Sequence, residues 1–466
     1  RLIPDLESIS VIPYNNARAM PLFAFSAVDG KAIPEALTRQ GFGGNIQPYE
    51  TAAANIRKKL YERGDLDFQG ARRVACETLA NPEQGPGIIS ALSSRFQEMI
   101  VDEAQDCDPV DLEILYRFKS AGLPVKIICD PHQSIYGFRG GVADVLLAFG
   151  KKFADSETYS LSGNFRSSAI IANAVVAFRG INHRDKRDSA LGKNRDLSIP
   201  VTVIGYSGRS VPSAIGDKFS EIVVKHGLEP ADCPVIASTS LSCRNAVGLP
   251  DPNGSGHMSV RLATTITRFQ YSFELGNIME ILKDLHRIVL EICGGMGSST
   301  YHGYLSDTEL EPSSWRPQVL AIAEELKFRT ASAENPTQWL ERARNLFQPM
   351  LQNTERTINQ LLANRTELAD ILACSSASRH PAKTIHSVKG HQFPAVCVVL
   401  SPSKATKVFN HLITAHDVEI AEEARKLYVG ASRAEQLLTI AVPKSQLDRV
   451  HALLKTMTSA VEVVRI

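Results

Sequence analysis

Two short apolar segments that each end in a polar cluster constrain the fold of this chain most. The first, "MIVDEAQDCD" at residues 99–108, runs from apolar residues into Asp102 and Glu103. The second, "VKIICDPHQS", comes after "DPVDLEILYRFKSAG", which has the pattern of a helix. A strand, a helix and a second strand in this order are typical of a parallel sheet with crossover helices. The sequence therefore predicts an α/β fold in which both polar clusters lie at the same edge of a sheet.

A second set of strand candidates follows further along the chain. Four short apolar segments, "PVTVIGY", "CPVIAST", "AVCVVLS" and "LLTIAVP", have the pattern of strands. A long segment, residues 249–378, separates the second from the third; it opens on the turn-like string "LPDPNGSG" and contains "MEILKDLHRIVLEIC". Apolar residues that recur every three or four positions, as they do there, predict helices. We therefore expect two α/β units, the second interrupted by a mainly helical insertion.

Composition narrows the class of protein. The 51 basic and 50 acidic residues give a formal net charge of +1, so any affinity for nucleic acid must come from a local patch. The eight cysteines include no CxxC pair, which indicates reduced thiols rather than a disulfide framework or a zinc site. No apolar run reaches the roughly 18 residues that a membrane span needs, and no signal-peptide pattern opens the chain. These features predict a cytoplasmic protein without a membrane partner.

Five polar strings occur in a fixed order along the chain. After the acidic string come "CDPHQSIYGFRGG" (129–141), "LSGNFRSS" (161–168), "TIHSVKGHQF" (384–393) and "EEARKLYVGASRAEQLLTIAV" (422–442). Together they closely resemble the motifs of the superfamily 1 DNA helicases of the UvrD/Rep/PcrA type, which read DExQD, GDPxQSIYxFRGA, NYRS, TxHxxKGxEF and ExRLLYVAxTRA. The resemblance extends over about residues 60–445 and is weak inside the predicted insertion. One such string alone is weak evidence, whereas five in order are a specific signal.

The resemblance implies a particular form of the α/β fold. It implies two RecA-like parallel-sheet lobes of the P-loop NTPase type, with a mainly helical insertion in the second lobe. The expected domains are an incomplete first RecA-like lobe with accessory residues (1–157), the first part of the second lobe (158–248), the inserted accessory subdomain (249–378) and the remainder of the second lobe (379–466). ATP bound by the two lobes would drive their closure.

The resemblance also implies roles in ATP hydrolysis. Asp102 would hold a magnesium ion and Glu103 would orient the attacking water, two tasks that phosphoryl transfer requires. Gln133 matches the residue that senses the terminal phosphate. Arg166 and Arg433 match two arginines that stabilise the developing charge, where a guanidinium fork suits phosphate oxygens. The alternative for the acidic string is a surface turn, and the alternative for each arginine is a solvated or salt-bridged residue.

Three further residues are expected to contact the nucleotide: Gly390, Gln392 and Arg425. Gln392 stands where the family motif has Glu, at a position expected near the nucleotide sugar. Because an amide still hydrogen-bonds a hydroxyl, we expect altered rather than absent binding. The implied cofactors are ATP and Mg2+.

On the DNA side, the resemblance implies two groups of contacts. Tyr136 and Phe138, beside Arg139, would stack on bases of any identity, which suits a motor that does not read sequence. Thr384 and His386 would contact the backbone of the strand. The alternatives are that the aromatic rings fill the hydrophobic core and that the histidine is structural.

One expected element of the family is absent from this sequence. No segment matches GxxxxGK[ST], the loop whose backbone amides and lysine cradle the phosphates. The family's early motifs are also missing upstream of the acidic string, and the chain begins with Arg1. One interpretation is that the sequence starts partway through the first lobe, and that the gene encodes an upstream segment on the order of 100 residues that carries this loop. The other is a naturally degenerate pseudo-helicase.

The resulting functional hypothesis is an ATP-dependent DNA helicase or single-strand translocase that moves 3′ to 5′. Its expected partners are single-stranded or partly duplex DNA and a nuclease, in a repair or phage-defence complex. The alternative is a catalytically inactive DNA-binding or scaffold subunit, which would account for the absent phosphate loop.

Overall fold

The computed structural model describes most of the chain. The described residues are 9–14, 17–26, 30–33, 37, 44–135, 149–150, 159–249, 256–274, 278–295, 301, 304–305, 308, 310–329, 334–352, 356–373, 380–414 and 421–466. Contacts between Cα atoms divide the chain into two units, Arg1–Glu157 and Thr158–Ile466. Among the described residues, no helix combines the length and the apolar character that crossing a bilayer requires.

The first unit begins with a small module that has its own core. Strands β1 (Ser10–Val11) and β2 (Met20–Pro21) pair in antiparallel fashion, and helix α1 (Gln47–Glu62) packs against them. Arg57 of α1 is buried, donates to Asp67 at 2.7 Å and also donates to the carbonyl of Phe25 at 2.8 Å. Removing one member of a buried ion pair leaves an uncompensated charge, so this pair fixes α1 to the start of the next helix.

The two polar clusters follow a pair of parallel strands in the first unit. The elements in chain order are α2 (Phe68–Ala80), α3 (Gly85–Arg95), β3 (Met99–Val101), α4 (Pro109–Ser120) and β4 (Val125–Ile127). Met99 lies opposite Val125 in the parallel register, so both clusters lie at the same edge, as the sequence predicts. Helix α4 begins at a capping box in which the side chains of Asp108 and Asp111 accept backbone hydrogen bonds.

The strand that carries the acidic cluster is less buried than the sequence predicts. Met99 and Val101 pack toward a core that includes Leu112 of α4. The alternate side chains face away from this core, and Ile100 is 55% exposed and Ile128 42% exposed. Parallel sheets are usually covered on both faces. In the described part of this unit, the core lies on one face of β3 and β4, which accounts for the exposed isoleucines.

The second unit contains a six-stranded parallel sheet in the order β12-β7-β11-β10-β8-β9. These strands are β7 (Val201–Tyr206), β8 (Val235–Ala237), β9 (Ala382–Thr384), β10 (Phe393–Val399), β11 (Ala434–Pro443) and β12 (Val461–Arg465). Strands β5 (Gly163–Asn164) and β6 (Ser189–Ala190) form a separate parallel pair. The predicted α/β class with parallel sheets is therefore confirmed.

Helices accompany the sheet along the chain. They are α5 (Ala169–Val176), α6 (Ala214–Lys225), α7 (Ser240–Ala246), α14 (Pro402–Thr414), α15 (Ala421–Ala431) and α16 (Leu447–Lys455). Phe219 of α6 packs with Val235, Cys397 and Leu437 of three strands in one core. All of the residues in β7 are buried, as expected for an interior strand of a parallel sheet.

A helical segment with its own core separates β8 from β9. It contains α8 (Met258–Glu274), α9 (Met279–Cys293), α10 (Pro312–Glu325), α11 (Pro336–Phe347), α12 (Ile358–Leu361) and α13 (Glu367–Ala373). Trp315 and Trp339 lie in this core together with Leu285. Tyr271 of α8 instead packs into the core of the sheet and donates its hydroxyl to the carbonyl of His380. This contact ties the helical segment to the sheet near the start of β9.

Candidate functional site

A continuous set of hydrogen bonds connects the polar clusters that follow β3 and β4. The amide nitrogen of Gln105 donates to the carboxylate of Glu103, and the backbone N–H of Asp130 donates to Gln105 Oε1 at 2.9 Å. Gln133 Nε2 then donates to Asp130 Oδ2 at 2.8 Å. The structure thus links Glu103 to Gln133, two residues that the sequence assigned to ATP hydrolysis, through two residues to which it assigned no role.

Gln105 is the central residue of this network. It is 1% exposed, and its backbone carbonyl also accepts a hydrogen bond from the hydroxyl of Ser134 at 3.3 Å. A buried amide is costly unless its donor and acceptor are both used, and here both are. The glutamine of the string DEAQD is the sequence signal that identifies this position.

Glu103 has an uncommon backbone conformation. Its φ of 54° and ψ of 36° place it in the left-handed region, and no other non-glycine residue in the described part of the chain has a positive φ. For a residue with a Cβ this conformation costs about 1–3 kcal/mol and persists only where surrounding contacts enforce it. Such strain clusters at functional sites, and Glu103 is the residue predicted to orient the attacking water.

Asp102 lies at the surface directly after β3. One of its oxygens, Oδ1, accepts the backbone N–H of Glu103 at 2.8 Å. No group of three or more His, Cys, Asp and Glu residues within the described segments is placed to hold a metal. A magnesium ion is commonly held by one or two carboxylates together with phosphate oxygens and waters, and an exposed aspartate fits that donor set.

Two thiols lie beside this network. Burial raises the pKa of Cys107 to about 11, with the negative charge of Asp111 adding to the effect. Burial also raises the pKa of Cys129, and Asp130 adds to it. Both thiols therefore stay protonated near neutral pH, and the carboxylates and amides are the groups available for chemistry.

The two predicted arginines lie side by side at the amino-terminal ends of β10 and β11. Arg166 donates from Nη1 to the carbonyl of Ser432 at 2.9 Å and from Nε to Gln392 Oε1 at 3.2 Å. Arg433 is 3% exposed; it donates from Nη2 to the hydroxyl of Ser432 at 2.9 Å and from Nε to the carbonyl of Val429 at 3.0 Å. Ser432 thus bridges the two guanidinium groups.

The loop that carries Arg166 is fixed by its own polar residues. Asn164 Oδ1 accepts the backbone N–H groups of Arg166 at 3.0 Å and of Ser167 at 2.9 Å. Ser167 donates its hydroxyl to the carbonyl of Ala434 at 2.8 Å, which anchors the loop at the start of β11. A Cβ at Gly192 would lie 1.8 Å from the carbonyl oxygen of Phe165, so only glycine permits this approach.

Phe165 adds a residue that the sequence analysis missed. Its side chain is 71% exposed, and it lies directly before Arg166 in the string NFRSS. A single exposed ring does not by itself indicate a site, but its place directly before Arg166 makes it available to a ligand of that arginine. The aromatic position in that string was the available signal.

The carboxyl-terminal edge of the sheet carries a different set of polar residues. Thr384 ends β9 and His386 opens the short helix His386–Val388 that follows it. Beside them, a cavity is lined by Ser238 and Thr239 after β8 and by Ser401 and Lys404 after β10, among other residues. Ligands of open α/β sheets bind beyond this edge. The signal for Ser238, Thr239 and Ser401, polar side chains at the ends of predicted strands, was present in the sequence, whereas Lys404 lies three residues beyond the predicted strand.

Lys404 belongs to a charged network in this cavity. Its Nζ lies 2.9 Å from Glu423 Oε1, and Nζ of Lys426 lies 2.9 Å from the same oxygen. Burial alone would raise the pKa of Glu423, but the hydrogen bonds from Lys404 and Lys426 outweigh it and the pKa is lowered. Glu423 is therefore ionised near neutral pH and holds Lys404 at the cavity wall.

Two sequence models of known protein families match this chain. The sequence model of the UvrD/REP helicase N-terminal domain matches residues 29–154, and that of the UvrD-like helicase C-terminal domain matches residues 312–445. The chain belongs to the UvrD/Rep/PcrA-like superfamily 1 helicases. The predicted RecA-like fold class is confirmed with it, because these are the helicase domains of that type.

Two relatives illustrate the extent of the similarity. The chain is 21% identical over 468 residues to the ATP-dependent DNA helicase PcrA of Staphylococcus aureus, with 84% of this chain and 61% of that protein covered. It is 30% identical over 170 residues to DNA helicase II of Haemophilus influenzae, with 35% of this chain and 22% of that protein covered. The chain therefore spans less than two thirds of the length of these helicases.

The short segment 385–392 connects the carboxyl-terminal and amino-terminal edges of the six-stranded sheet. Thr384 lies opposite Ala237, and Ala237 lies opposite Val399, so Thr384 is level with the end of β10. The seven residues of β10 span about 20 Å. The segment from Thr384 to Phe393 therefore returns from the carboxyl-terminal edge to the amino-terminal edge. Gly390, with a φ of 83°, provides the left-handed turn that this return requires.

The structure gives less information on the other residues that were assigned by family resemblance. Tyr136, Phe138 and Arg139 lie outside the described residues. Arg425 lies in α15 and is partly exposed. The roles of these residues, and of the other assigned site residues, stay predictions.

Proposed function

We propose that the full-length gene product is an ATP-dependent DNA helicase or single-strand translocase that moves 3′ to 5′. The observation that carries the proposal is the placement of two groups of residues from the motif strings on opposite edges of one sheet. Arg166, Gln392 and Arg433 lie at the amino-terminal edge, and Thr384 and His386 lie at the carboxyl-terminal edge. A motor needs a nucleotide site and a DNA site that communicate, and the segment 385–392 joins these two groups directly.

The arginine pair supports nucleotide hydrolysis. A triphosphate presents several anionic oxygens, and charge on them shifts as the terminal bond breaks. Guanidinium groups held in advance stabilise such charge without reorganising at the moment of reaction. Ser432 holds Arg166 by its carbonyl and Arg433 by its hydroxyl, which fixes the spacing of the pair. The exposed ring of Phe165 next to Arg166 offers a flat surface on which the base of a nucleotide would stack.

In the first unit, the network around Glu103 supports a role in activating water. Gln105 holds the carboxylate, and the left-handed backbone turns it away from the strand direction. Asp102 would hold Mg2+, which neutralises phosphate charge when it is bound. Gln133 is linked to Glu103 through Gln105 and Asp130, so a change at the phosphate would be transmitted along hydrogen bonds.

The carboxyl-terminal edge supports binding of single-stranded or partly duplex DNA. Hydroxyl donors such as Thr239 and Ser401 and the cation of Lys404 line the cavity at this edge. Hydroxyls, lysines and histidines bind phosphate oxygens, and contacts of that kind carry no sequence information. A translocating protein needs this type of contact, because it must pass over every sequence.

The proposal also covers the partner protein and the biological role. A nuclease partner in a repair or phage-defence complex rests on the family resemblance alone. Purification of the native protein from its host, followed by mass spectrometry, tests it. Recovery of a nuclease at constant stoichiometry is expected.

A second candidate function is a DNA-binding or scaffold subunit without hydrolysis. It would apply if the full-length gene product, like residues 1–466, contains no GxxxxGK[ST] string. The intact residues Glu103, Arg166 and Arg433 favour the enzyme instead, because a scaffold gains nothing from a strained glutamate or a bridged arginine pair.

The deciding measurement is ATP turnover by the full-length gene product with and without single-stranded DNA. We expect turnover that DNA stimulates, and Glu103→Gln should lower it at least about 100-fold while nucleotide binding persists. Glu113→Gln, a change at another partly exposed acid of the same unit, is the matched control and should keep turnover. Turnover that stays within about threefold in the Glu103 variant would reject its assigned role. Absence of turnover in the unmodified protein would favour the scaffold.

A further inference from the structure

We propose that Gln392 is a positioning residue whose neutral amide orients the guanidinium of Arg166 through a hydrogen bond. This inference rests on the proposed ATP hydrolysis and assigns to Gln392 a task other than contact with the nucleotide sugar. The contact runs from Arg166 Nε to Gln392 Oε1 at 3.2 Å and joins residues 226 positions apart in the sequence.

The geometry fixes the plane of the guanidinium. Arg166 donates from Nε to Gln392 and from Nη1 to the carbonyl of Ser432 at 2.9 Å. Because the five N–H donors of an arginine lie in one rigid plane, two bonds from different nitrogens determine the orientation of the whole group. The side chain of Gln392 supplies one of these two bonds, so its loss would weaken the constraint on the plane of the guanidinium.

The backbone holds Gln392 in register with both arginines. The N–H of Phe393, the next residue, donates to the carbonyl of Arg433 at 3.0 Å. The hydroxyl of Ser167, next to Arg166, donates to the carbonyl of Ala434 at 2.8 Å. Both loops are thereby anchored to the same end of β11, and Gln392 is presented to Arg166 by fixed backbone rather than by a mobile side chain alone.

The neutrality of the amide gives the contact a specific consequence. The family motif TxHxxKGxEF has a carboxylate at this position, and a carboxylate would add the attraction of a full negative charge to its hydrogen bond with the guanidinium. It would also repel phosphate oxygens by that negative charge. The amide of Gln392 keeps the orienting hydrogen bond and adds no negative charge of its own.

The test compares two variants of the full-length gene product. Gln392→Met keeps the length of the side chain and removes the acceptor, whereas Gln392→Glu keeps the acceptor and adds charge. We expect Gln392→Met to lower kcat about 10-fold with KM for ATP nearly unchanged, since one hydrogen bond to a charged group is lost. In an Arg166→Ala background the same change should add less than about twofold, because it acts through the missing residue. Gln392→Glu should raise KM for ATP, since its charge repels the phosphates.

A sugar contact predicts a different result. If Gln392 binds the ribose 2′-hydroxyl, Gln392→Met should lower kcat/KM more for ATP than for 2′-deoxy-ATP. Positioning of Arg166 leaves the ratio of kcat/KM for these two nucleotides unchanged. A change in that ratio, or a full additional loss in the Arg166→Ala background, would overturn the proposal. Gln348→Met, at an exposed glutamine outside the site, is the matched control.

A readout without turnover separates this inference from the proposed function. The Nε–Hε resonance of Arg166, assigned by its disappearance in Arg166→Lys, reports the hydrogen bond directly. We expect it to shift and exchange faster with water in Gln392→Met and to stay protected in Gln392→Glu. An unchanged resonance in Gln392→Met overturns the positioning role whether or not the protein hydrolyses ATP. A changed resonance in a protein without turnover would reject the proposed function and keep the contact.

Discussion

The two edges of the six-stranded sheet in the second unit carry polar residues in different ways. At the amino-terminal edge, Arg433 is buried and both arginines donate to defined acceptors on Ser432. At the carboxyl-terminal edge, Ser238 and Thr239 line a cavity with Lys404, whose ammonium group pairs with a carboxylate. At one edge the cations donate to carbonyl, amide and hydroxyl oxygens, and at the other the cation pairs with an acid.

Under the proposed function, the difference between the edges corresponds to two kinds of ligand. Charge stabilisation in phosphoryl transfer needs donors held in place before the reaction, which the bridged arginines provide. Contact with a moving strand needs interactions that form and break at each step, and exposed hydroxyls with a partly neutralised lysine meet that need. The segment 385–392 runs between the edges, so a shift of Gln392 with the nucleotide would move Thr384 and His386 as well.

Removal of the Arg166 side chain should distinguish the functions of the two edges most clearly. Arg166→Ala in the full-length gene product should lower ATP turnover about 100-fold or more, because one preorganised cation is lost from the reacting phosphate. The affinity for single-stranded DNA without nucleotide should stay within about twofold, since this side chain lies at the opposite edge. Turnover assays and fluorescence anisotropy measure the two quantities. A parallel loss of DNA affinity would show that the edges do not act separately.

The fold was largely predictable from the sequence, and its exceptions have physical reasons. The strings that became β3, β4, β7, β8, β10 and β11 were recognisable because apolar residues cluster in them. Strand β9 has three residues, and neighbouring β8 specifies it by pairing rather than by its own pattern. The exposed Ile100 was not predicted, because a sequence does not reveal that the core covers one face of its strand.

The candidate site was predictable in its residues but not in its contacts. Motif strings pointed to Glu103, Arg166 and Gln392, whereas the bond that holds Glu103 and the bond between Arg166 and Gln392 depend on the fold. The hydrogen bond from Arg166 to Gln392 joins residues 226 apart, and no local pattern encodes it. Ser432 was missed because a serine in a helical string has many ordinary roles. Its bridging position becomes visible only when two distant loops meet at the start of β11.

Substitution of Lys404 tests whether the carboxyl-terminal edge binds DNA. Lys404→Ala should weaken binding of single-stranded DNA about 3- to 10-fold near physiological salt and reduce the dependence on salt by about one released ion. The loss should be the same for every DNA sequence, because phosphate contacts do not read bases. Binding titrations at several salt concentrations with two unrelated oligonucleotides measure both effects.

The matched control lies on the same helix. Lys407 is exposed on α14 and does not line the cavity, so Lys407→Ala should change DNA affinity much less than Lys404→Ala. Equal effects of the two substitutions would indicate a general charge effect and would remove the evidence for a specific DNA contact at this edge.

Glu423 provides the smallest and most specific test, because under the proposed function it would compete with DNA for Lys404. Glu423→Gln should raise affinity for single-stranded DNA about twofold at neutral pH, since the ammonium group loses its charged partner. The same change should lower the Tm by a few degrees, because a carboxylate whose folded pKa is lowered stabilises the fold at neutral pH. That stabilisation is present above the ordinary pKa of a glutamate and is lost as pH falls through the lower folded value. The difference in Tm between the two proteins should therefore shrink in acid, and a difference that is constant from pH 7 to about pH 3 would assign the effect to packing instead of charge.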